Sequence, residues 1–109
     1  MKKIARKIIA CDFDGCLCVD CAPEIGSPNW EAINKLKDEQ ARGTAIILWT
    51  CRRGKNLQRA ISACAEWGLE FDAINEDIPE VIRIRGECSR KIIADEYWDD
   101  HAVSVIYKE

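Results

Sequence analysis

The sequence predicts an α/β protein: a three-layer α/β/α sandwich built around a mostly parallel, Rossmann-like sheet. Three observations predict it. Strand-like and helix-like stretches alternate as strand, helix, strand, helix, strand, the order of a doubly wound sheet. The first two strand-like stretches are apolar throughout, as strands covered on both faces are. Polar clusters follow three of the strand-like stretches, and sheets of this kind bind ligands beyond the carboxyl ends of their strands.

Lys7 to Cys11 is a short isoleucine-containing run ended by Asp-Phe-Asp-Gly, which suits a buried central strand. Residues 15–28 hold two glycines, two prolines and three cysteines, and read as a loop or tight hairpin. Ser27-Pro28 then supplies an N-cap and a proline for the first helical position. Trp30, Ile33 and Leu36 recur at helical spacing, with Gly43 as a stop. Thr44 to Trp49 is a second apolar strand, and it runs into Thr50-Cys51-Arg52-Arg53-Gly54. Leu57, Ala60, Ile61, Cys64 and Ala65 make one face of a second helix, closed by Gly68. Phe71 to Asn75 is a third strand. Within residues 76–90, Val81 to Arg85 alternates apolar and basic side chains as a strand does, yet also fits a helical turn. Ile92 to Trp98 and Ala102 to Tyr107 read as two further strands, split by Asp99-Asp100-His101. No repeat, linker or low-complexity segment interrupts residues 1–109, which make one domain. Trp30, Trp49, Trp67 and Trp98 fall on separate elements without basic interleaving, a pattern of packing residues rather than base-stacking platforms.

At 109 residues the chain is long enough for a real core and too short for a second lobe. Hydrophobic residues at 48% and charged residues at 32% place it among globular chains. Sixteen basic against nineteen acidic side chains, a net charge of −3, give no nucleic-acid footprint. The apolar run Ile8 to Cys11 is too short for a signal peptide, and no run approaches a membrane span, so a cytoplasmic location is expected. Seven cysteines, an odd number without a secretion signal, do not describe a disulfide framework. Cys11, Cys51 and Cys64 look like small buried residues, whereas Cys16, Cys18 and Cys21 cluster in the first loop. Cys18-Val-Asp-Cys21 is a CxxC, but His101 is the only histidine and no second CxxC exists. A local or subunit-shared metal site is the alternative to reduced loop cysteines prone to oxidation.

The chemistry concentrates at the strand ends. Asp12 and Asp14, two residues apart, hold two carboxylates close together, and their repulsion needs a cation or a proton to relieve it. One can act as nucleophile while the other serves as general acid and then base. Gly15 permits a sharp turn and close approach to a ligand. The Thr50 hydroxyl and the N–H groups that follow, with Cys51 and Arg52, could grip a phosphoryl oxygen, and Arg53 could bind phosphate too, although Thr50 could simply cap the second helix and adjacent arginines often face solvent. Lys91 would neutralise charge near Asp12, against the plainer role of a surface lysine. Asp99 and Asp100 offer hard oxygen ligands suited to Mg2+, against an ordinary acidic turn.

Taken together, Asp-x-Asp, a threonine after the second strand, a lysine and an acidic pair resemble the haloacid dehalogenase superfamily of phosphohydrolases, across almost the whole chain. The resemblance implies a Rossmann-like core and an Mg2+-dependent phosphatase working through an aspartyl-phosphate. Asp12 would be nucleophile and metal ligand, and Asp14 acid/base with its carbonyl on the metal. Thr50 and Lys91 would hold the phosphoryl group, with Gly15, Cys51 and Arg52 lining its site, and Asp99 and Asp100 would anchor Mg2+. The short interval from Lys91 to Asp99 is similar to small phage and bacterial members ending Lys-x-x-Ala-Asp-x-Tyr-x-Asp-Asp. Asp95 and Asp99 form a DxxxD pair, so a strand ending at Ala94 would make Asp95 the ligand instead; one longer strand favours Asp99 and Asp100. Residues 16–27 and 68–90 leave no room for the cap domain usual in the superfamily. The site should then be open, taking a phosphorylated small molecule or a bulky or macromolecular ester, or be covered by another subunit. A phosphoacceptor signalling domain is a rival, but its acidic pair precedes the phosphorylated Asp, the reverse of the order here. A catalytically silent phosphate-binding domain is the other.

Overall fold

A computed structural model describes residues 6–103, 105 and 106. Its sheet has four strands, β1 Ile8–Cys11, β2 Ala45–Leu48, β3 Ala73–Ile74 and β4 Glu96–Trp98, in the order β3-β2-β1-β4. Every pairing is parallel: Ile8 to Cys11 lie beside Ala45 to Leu48, and Ile9 to Cys11 beside Glu96 to Trp98. Three helices connect the strands: α1 Trp30–Ala41, α2 Gly54–Glu66 and α3 Pro79–Arg85.

Alternation along β1 and β2 sorts the side chains into two cores, because successive residues of a strand point to opposite faces. Ile9, Cys11, Ile46 and Leu48 pack with Ile33 and Leu36 of α1 and with Ala60 and Cys64 of α2. Ile8, Ala10, Ala45 and Ile47 pack on the other face with Ile78, Val81 of α3, and Ile92. Helices therefore cover both faces, giving the three layers expected. Truncating any of these buried aliphatic side chains to alanine should cost about 2–5 kcal/mol.

Several boundaries differ from expectation. Helix α1 begins two residues later: its N-cap is Asn29, whose Oδ1 accepts from Ala32 N, while its Nδ2 donates to the Cys16 carbonyl. Pro28 instead lies opposite Cys18 in an isolated antiparallel bridge, which takes Ser27-Pro28 out of the helix. Trp30 is 48% exposed rather than packed, with the Lys37 ammonium 5.6 Å from its ring. Val81 to Arg85 is helical, opened by Pro79 and closed by Gly86 at φ +81°. The fourth strand is shorter than Ile92 to Trp98, because residues 89–93 are held by the buried Asp77 carboxylate, which accepts from Ser89 N (3.4 Å) and Ile93 N (2.6 Å). No strand forms among the described residues of 102–106; Ala102 N turns back to Asp99 O, and Val103, Val105 and Ile106 are exposed. Ser104 and Tyr107, also expected in that strand, lie outside the described residues.

Candidate active site at the carboxyl edge

From β1 the chain moves to β2 on one side, whereas β4 lies on the other, so the strand order reverses between β1 and β4. Such a reversal leaves a crevice beyond the strand ends. Asp12 N donates to the Trp98 carbonyl (2.9 Å) and Trp49 N to the Cys11 carbonyl (2.8 Å), which fixes the first residue past β1 between its neighbours. The chain then turns tightly: Cys16 N and Leu17 N both donate to the Phe13 carbonyl. Phe13 is fully buried and stacks on Trp67 at 6.0 Å, anchoring the turn between Asp12 and Asp14. Gly15 has φ +78°, and a Cβ there would run into the Asp100 carboxyl group. Glycine is thus required both by the backbone and by the space Asp100 occupies.

One oxygen from each of Asp12, Asp99 and Asp100 lies within 4.8 Å of the others, the one such grouping of metal-capable side chains among the described residues. No cysteine belongs to it, so Cys18 and Cys21 join no three-ligand cluster there. Asp12 Oδ1 accepts from Phe13 N (2.8 Å) and Asp99 Oδ1 from His101 N (2.9 Å), leaving each carboxylate a second oxygen. His101 lies against Asp100, with Nε2 3.6 Å from Oδ2. Burial raises the Asp12 pKa above its ordinary value, and the negative charges of Asp99, Asp100 and Asp14 push the same way, against the Phe13 N–H. A divalent cation among these oxygens would reverse that cost. Asp95 is remote from this cluster: its carboxylate accepts from Ile8 N (2.7 Å) at the amino end of β1.

Asp14 has a different partner. Arg52 Nε donates to its Oδ2 and Nη2 to its Oδ1, both at 2.7 Å. The remaining Arg52 donors go to the carbonyls of Pro23, Glu24 and Asn56, so all five N–H groups are used within the protein. Its side chain is only 5% exposed, and the guanidinium lies 4.9 Å from the Phe13 ring centre. Arg52 was expected to bind substrate; with no N–H to spare it instead staples the first loop, residues 23–24 and the start of α2.

A cavity of about 460 Å3 opens beside Asp12, lined by Trp49, Thr50, Cys51, Arg52, Arg53, Asn75 and Asp99. Thr50 N donates to Asn75 Oδ1 (2.8 Å), and Thr50 Oγ1 accepts from Arg52 N (3.2 Å), so its hydroxyl hydrogen remains available. Helix α2 is capped by the backbone of Arg53, with no side-chain cap, so Thr50 does not serve as the cap and the first N–H groups of α2 stay open to an anion. Trp49 and Asn75 are not among the expected site residues; Asn75, at φ +55° just past β3, is marked in the sequence only by its place at the end of an apolar run. Lys91 does not line the cavity, is exposed, and makes no ion pair with Asp12 among the described residues. The expected contact between them is therefore missing, although Asp77 tethers the residues on either side of Lys91.

Fold and site together define a doubly wound α/β protein with an acidic crevice at its topological switch point. No family model matches the sequence, and no curated protein matches it. Among solved structures, a conserved protein from Bacteroides thetaiotaomicron is 40% identical, with a TM-score of 0.79, over 94% of this chain and 83% of that one. The chain belongs to the same family as that protein.

Proposed function

We propose that the protein is a Mg2+-dependent phosphohydrolase of the haloacid dehalogenase type, acting on a phosphate monoester with Asp12 as nucleophile. The observation that carries this reading is the juxtaposition of Asp12 with Asp99 and Asp100, at the switch point and on the wall of a cavity that Thr50 also lines. Asp12, Asp99, Asp100 and the Asp14 carbonyl would hold Mg2+, which supplies positive charge against the repulsion between carboxylate and phosphate ester. Asp12 would then attack phosphorus in line, forming an O–P bond as the bond to the leaving oxygen breaks. The Thr50 hydroxyl and the open N–H groups of α2 would steady the phosphoryl oxygens. Asp14 would protonate the leaving oxygen and later take a proton from the water that hydrolyses the aspartyl-phosphate. That work needs one Asp14 oxygen released from Arg52.

No separate covering domain stands among the described residues, and Trp49 and Arg53 extend the cavity past the carboxylates. A bulky or macromolecular phosphate ester suits such a site. No helix among the described residues is long and apolar enough to cross a membrane, and all seven cysteines are free thiols, which accords with a reducing cytoplasm. The test is hydrolysis of p-nitrophenyl phosphate with Mg2+, with EDTA, and by Asp12→Asn. Metal-dependent turnover lost in the variant is expected; turnover that survives in Asp12→Asn overturns the mechanism.

A further inference from the structure

The turn that presents Asp12 and Asp14 also brings two thiols together. Cys16 N donates to the Phe13 carbonyl (3.2 Å), folding residue 16 back towards the end of β1. The Sγ atoms of Cys11 and Cys16 then lie 3.3 Å apart. Cys11 is fully buried, with its Sγ 3.2 Å from the Asp12 carbonyl oxygen, whereas Cys16 is partly exposed. A disulfide requires about 2.05 Å between sulfurs, so roughly 1.2 Å of approach separates this contact from a bond.

We propose that Cys11 and Cys16 are an oxidisable thiol pair that hydroperoxides convert to a disulfide, closing a covalent ring around Asp12 to Gly15. Cys16, the less buried of the two, would take one oxygen from the hydroperoxide at its sulfur, giving a sulfenic acid and an alcohol, or water from hydrogen peroxide. The Cys11 sulfur then attacks the Cys16 sulfur; the S–S bond forms, the S–O bond breaks, and water leaves with the Cys11 proton. Two thiols are oxidised and one peroxide is reduced, and a thiol reductant reverses the change. Transient disulfides of this kind are the form that cytosolic redox sensing takes. Drawing the sulfurs together would pull on the turn that sets both carboxylates, since Cys16 N is bonded to the Phe13 carbonyl within it. A misplacement of about 1 Å at reacting groups costs on the order of 100-fold in rate. That consequence rests on the phosphohydrolase reading; the thiol pair does not.

The test treats the full chain with hydrogen peroxide and maps its cysteines by differential alkylation and tandem mass spectrometry. The expected product is a Cys11–Cys16 cross-link with loss of two hydrogens, reversed by dithiothreitol and absent in Cys16→Ser and Cys11→Ala. Turnover of p-nitrophenyl phosphate should fall about 100-fold with the cross-link, return on reduction, and resist peroxide in Cys16→Ser. Sulfinic acid at Cys16 without a cross-link, or a disulfide elsewhere with Cys11 and Cys16 still alkylatable, overturns the proposal. Because mass reads the cross-link whether or not the reduced protein turns over an ester, a failure of the thiol pair and a failure of the enzymatic reading give different results.

Discussion

Acidic side chains gather at both edges of the sheet, under opposite conditions. At the amino edge each one has a partner. Asp95 accepts from Ile8 N and Asp72 from Ile46 N, while Arg6 pairs with Asp72 (3.2 Å) and Glu80 (2.8 Å), and Lys7 with Glu39 (3.3 Å) and Glu96 (2.9 Å). At the carboxyl edge Asp12, Asp99 and Asp100 crowd within 4.8 Å, and the buried cation nearest them in the chain's fold, Arg52, is committed to Asp14. Charge at the first edge is spent on holding strands in place. Charge at the second is crowded with no buried cation of its own among the described residues, which is the repulsion that the proposed Mg2+ would relieve.

The largest effect expected from this contrast is at Asp12. Asp12→Asn should lower turnover by about four orders of magnitude or more, as removal of a nucleophile does. The same change should raise the melting temperature of the metal-free protein by a few degrees at neutral pH, because it removes one member of a repelling cluster. The sign follows from the raised pKa of Asp12. A carboxyl whose folded-state pKa is raised binds its proton more tightly when folded, so its ionised form costs stability above that pKa, and the cost vanishes as pH falls through it. The advantage of Asp12→Asn should therefore fade as pH falls through the raised value towards the ordinary 3.8, and Mg2+ should stabilise the wild type more than the variant. Thermal melts of both proteins across pH, with and without Mg2+, check each part; equal melting temperatures at neutral pH would mean the cluster carries no strain.

Arg52 comes next. Replacing it with Met leaves Asp14 and three carbonyls without their donors, and breaking a buried ion pair costs about 3–5 kcal/mol. Lysine should rescue little, since one ammonium cannot reproduce the fork. Urea denaturation measures both; a loss under about 1 kcal/mol, the range of exposed pairs, would place Arg52 with Arg6 and Lys7 rather than apart from them. Gly15→Ala should act on both counts, through a left-handed backbone costing about 1–2 kcal/mol and through contact with Asp100. Metal affinity, read by calorimetry, should weaken at least about tenfold, the equivalent of about 1.4 kcal/mol.

The parts legible in the sequence were those set by local pattern. The runs at 7–11 and 44–49 announced buried strands, and the two-residue spacing of Asp12 and Asp14 after a strand announced paired carboxylates. What stayed hidden depends on partners far along the chain. Arg52 next to Arg53 looks like two surface cations; only the fold buries one as a staple for Asp14, 38 residues away, and leaves the other exposed at the cavity. Trp49 and Asn75 become cavity walls because β2 and β3 end side by side. Within residues 76–90, Val81 to Arg85 alternates as a strand does because the short helix α3 buries Val81 on one side only, and the chain beyond it is held by the Asp77 carboxylate rather than by a strand pairing. Val103, Val105 and Ile106 sit in an apolar, β-branched run that reads as a strand, but the turn at Asp99 to Ala102 offers them no sheet edge among the described residues.

The smallest predicted effect is the sharpest check on the comparison. Asp95 and Asp99 are four residues apart and both carboxylates, and the DxxxD pattern makes either a metal ligand on sequence grounds. In the fold they stand at opposite ends of β4. Asp95→Ala should remove the acceptor of Ile8 N and cost about 1–2 kcal/mol, the range for a hydrogen bond to a charged group at a partly exposed strand end. It should leave Mg2+ affinity unchanged, because nothing it touches reaches the carboxyl edge. Asp99→Ala should do the reverse: metal affinity should fall at least about tenfold, since one of few anionic ligands is lost, and metal-free stability should hold or rise as the repulsion on Asp12 eases. Denaturation and metal titration of the two variants side by side read the exchange directly. If Asp95→Ala weakens metal binding as much as Asp99→Ala does, the two edges are coupled and the division of labour between them is wrong.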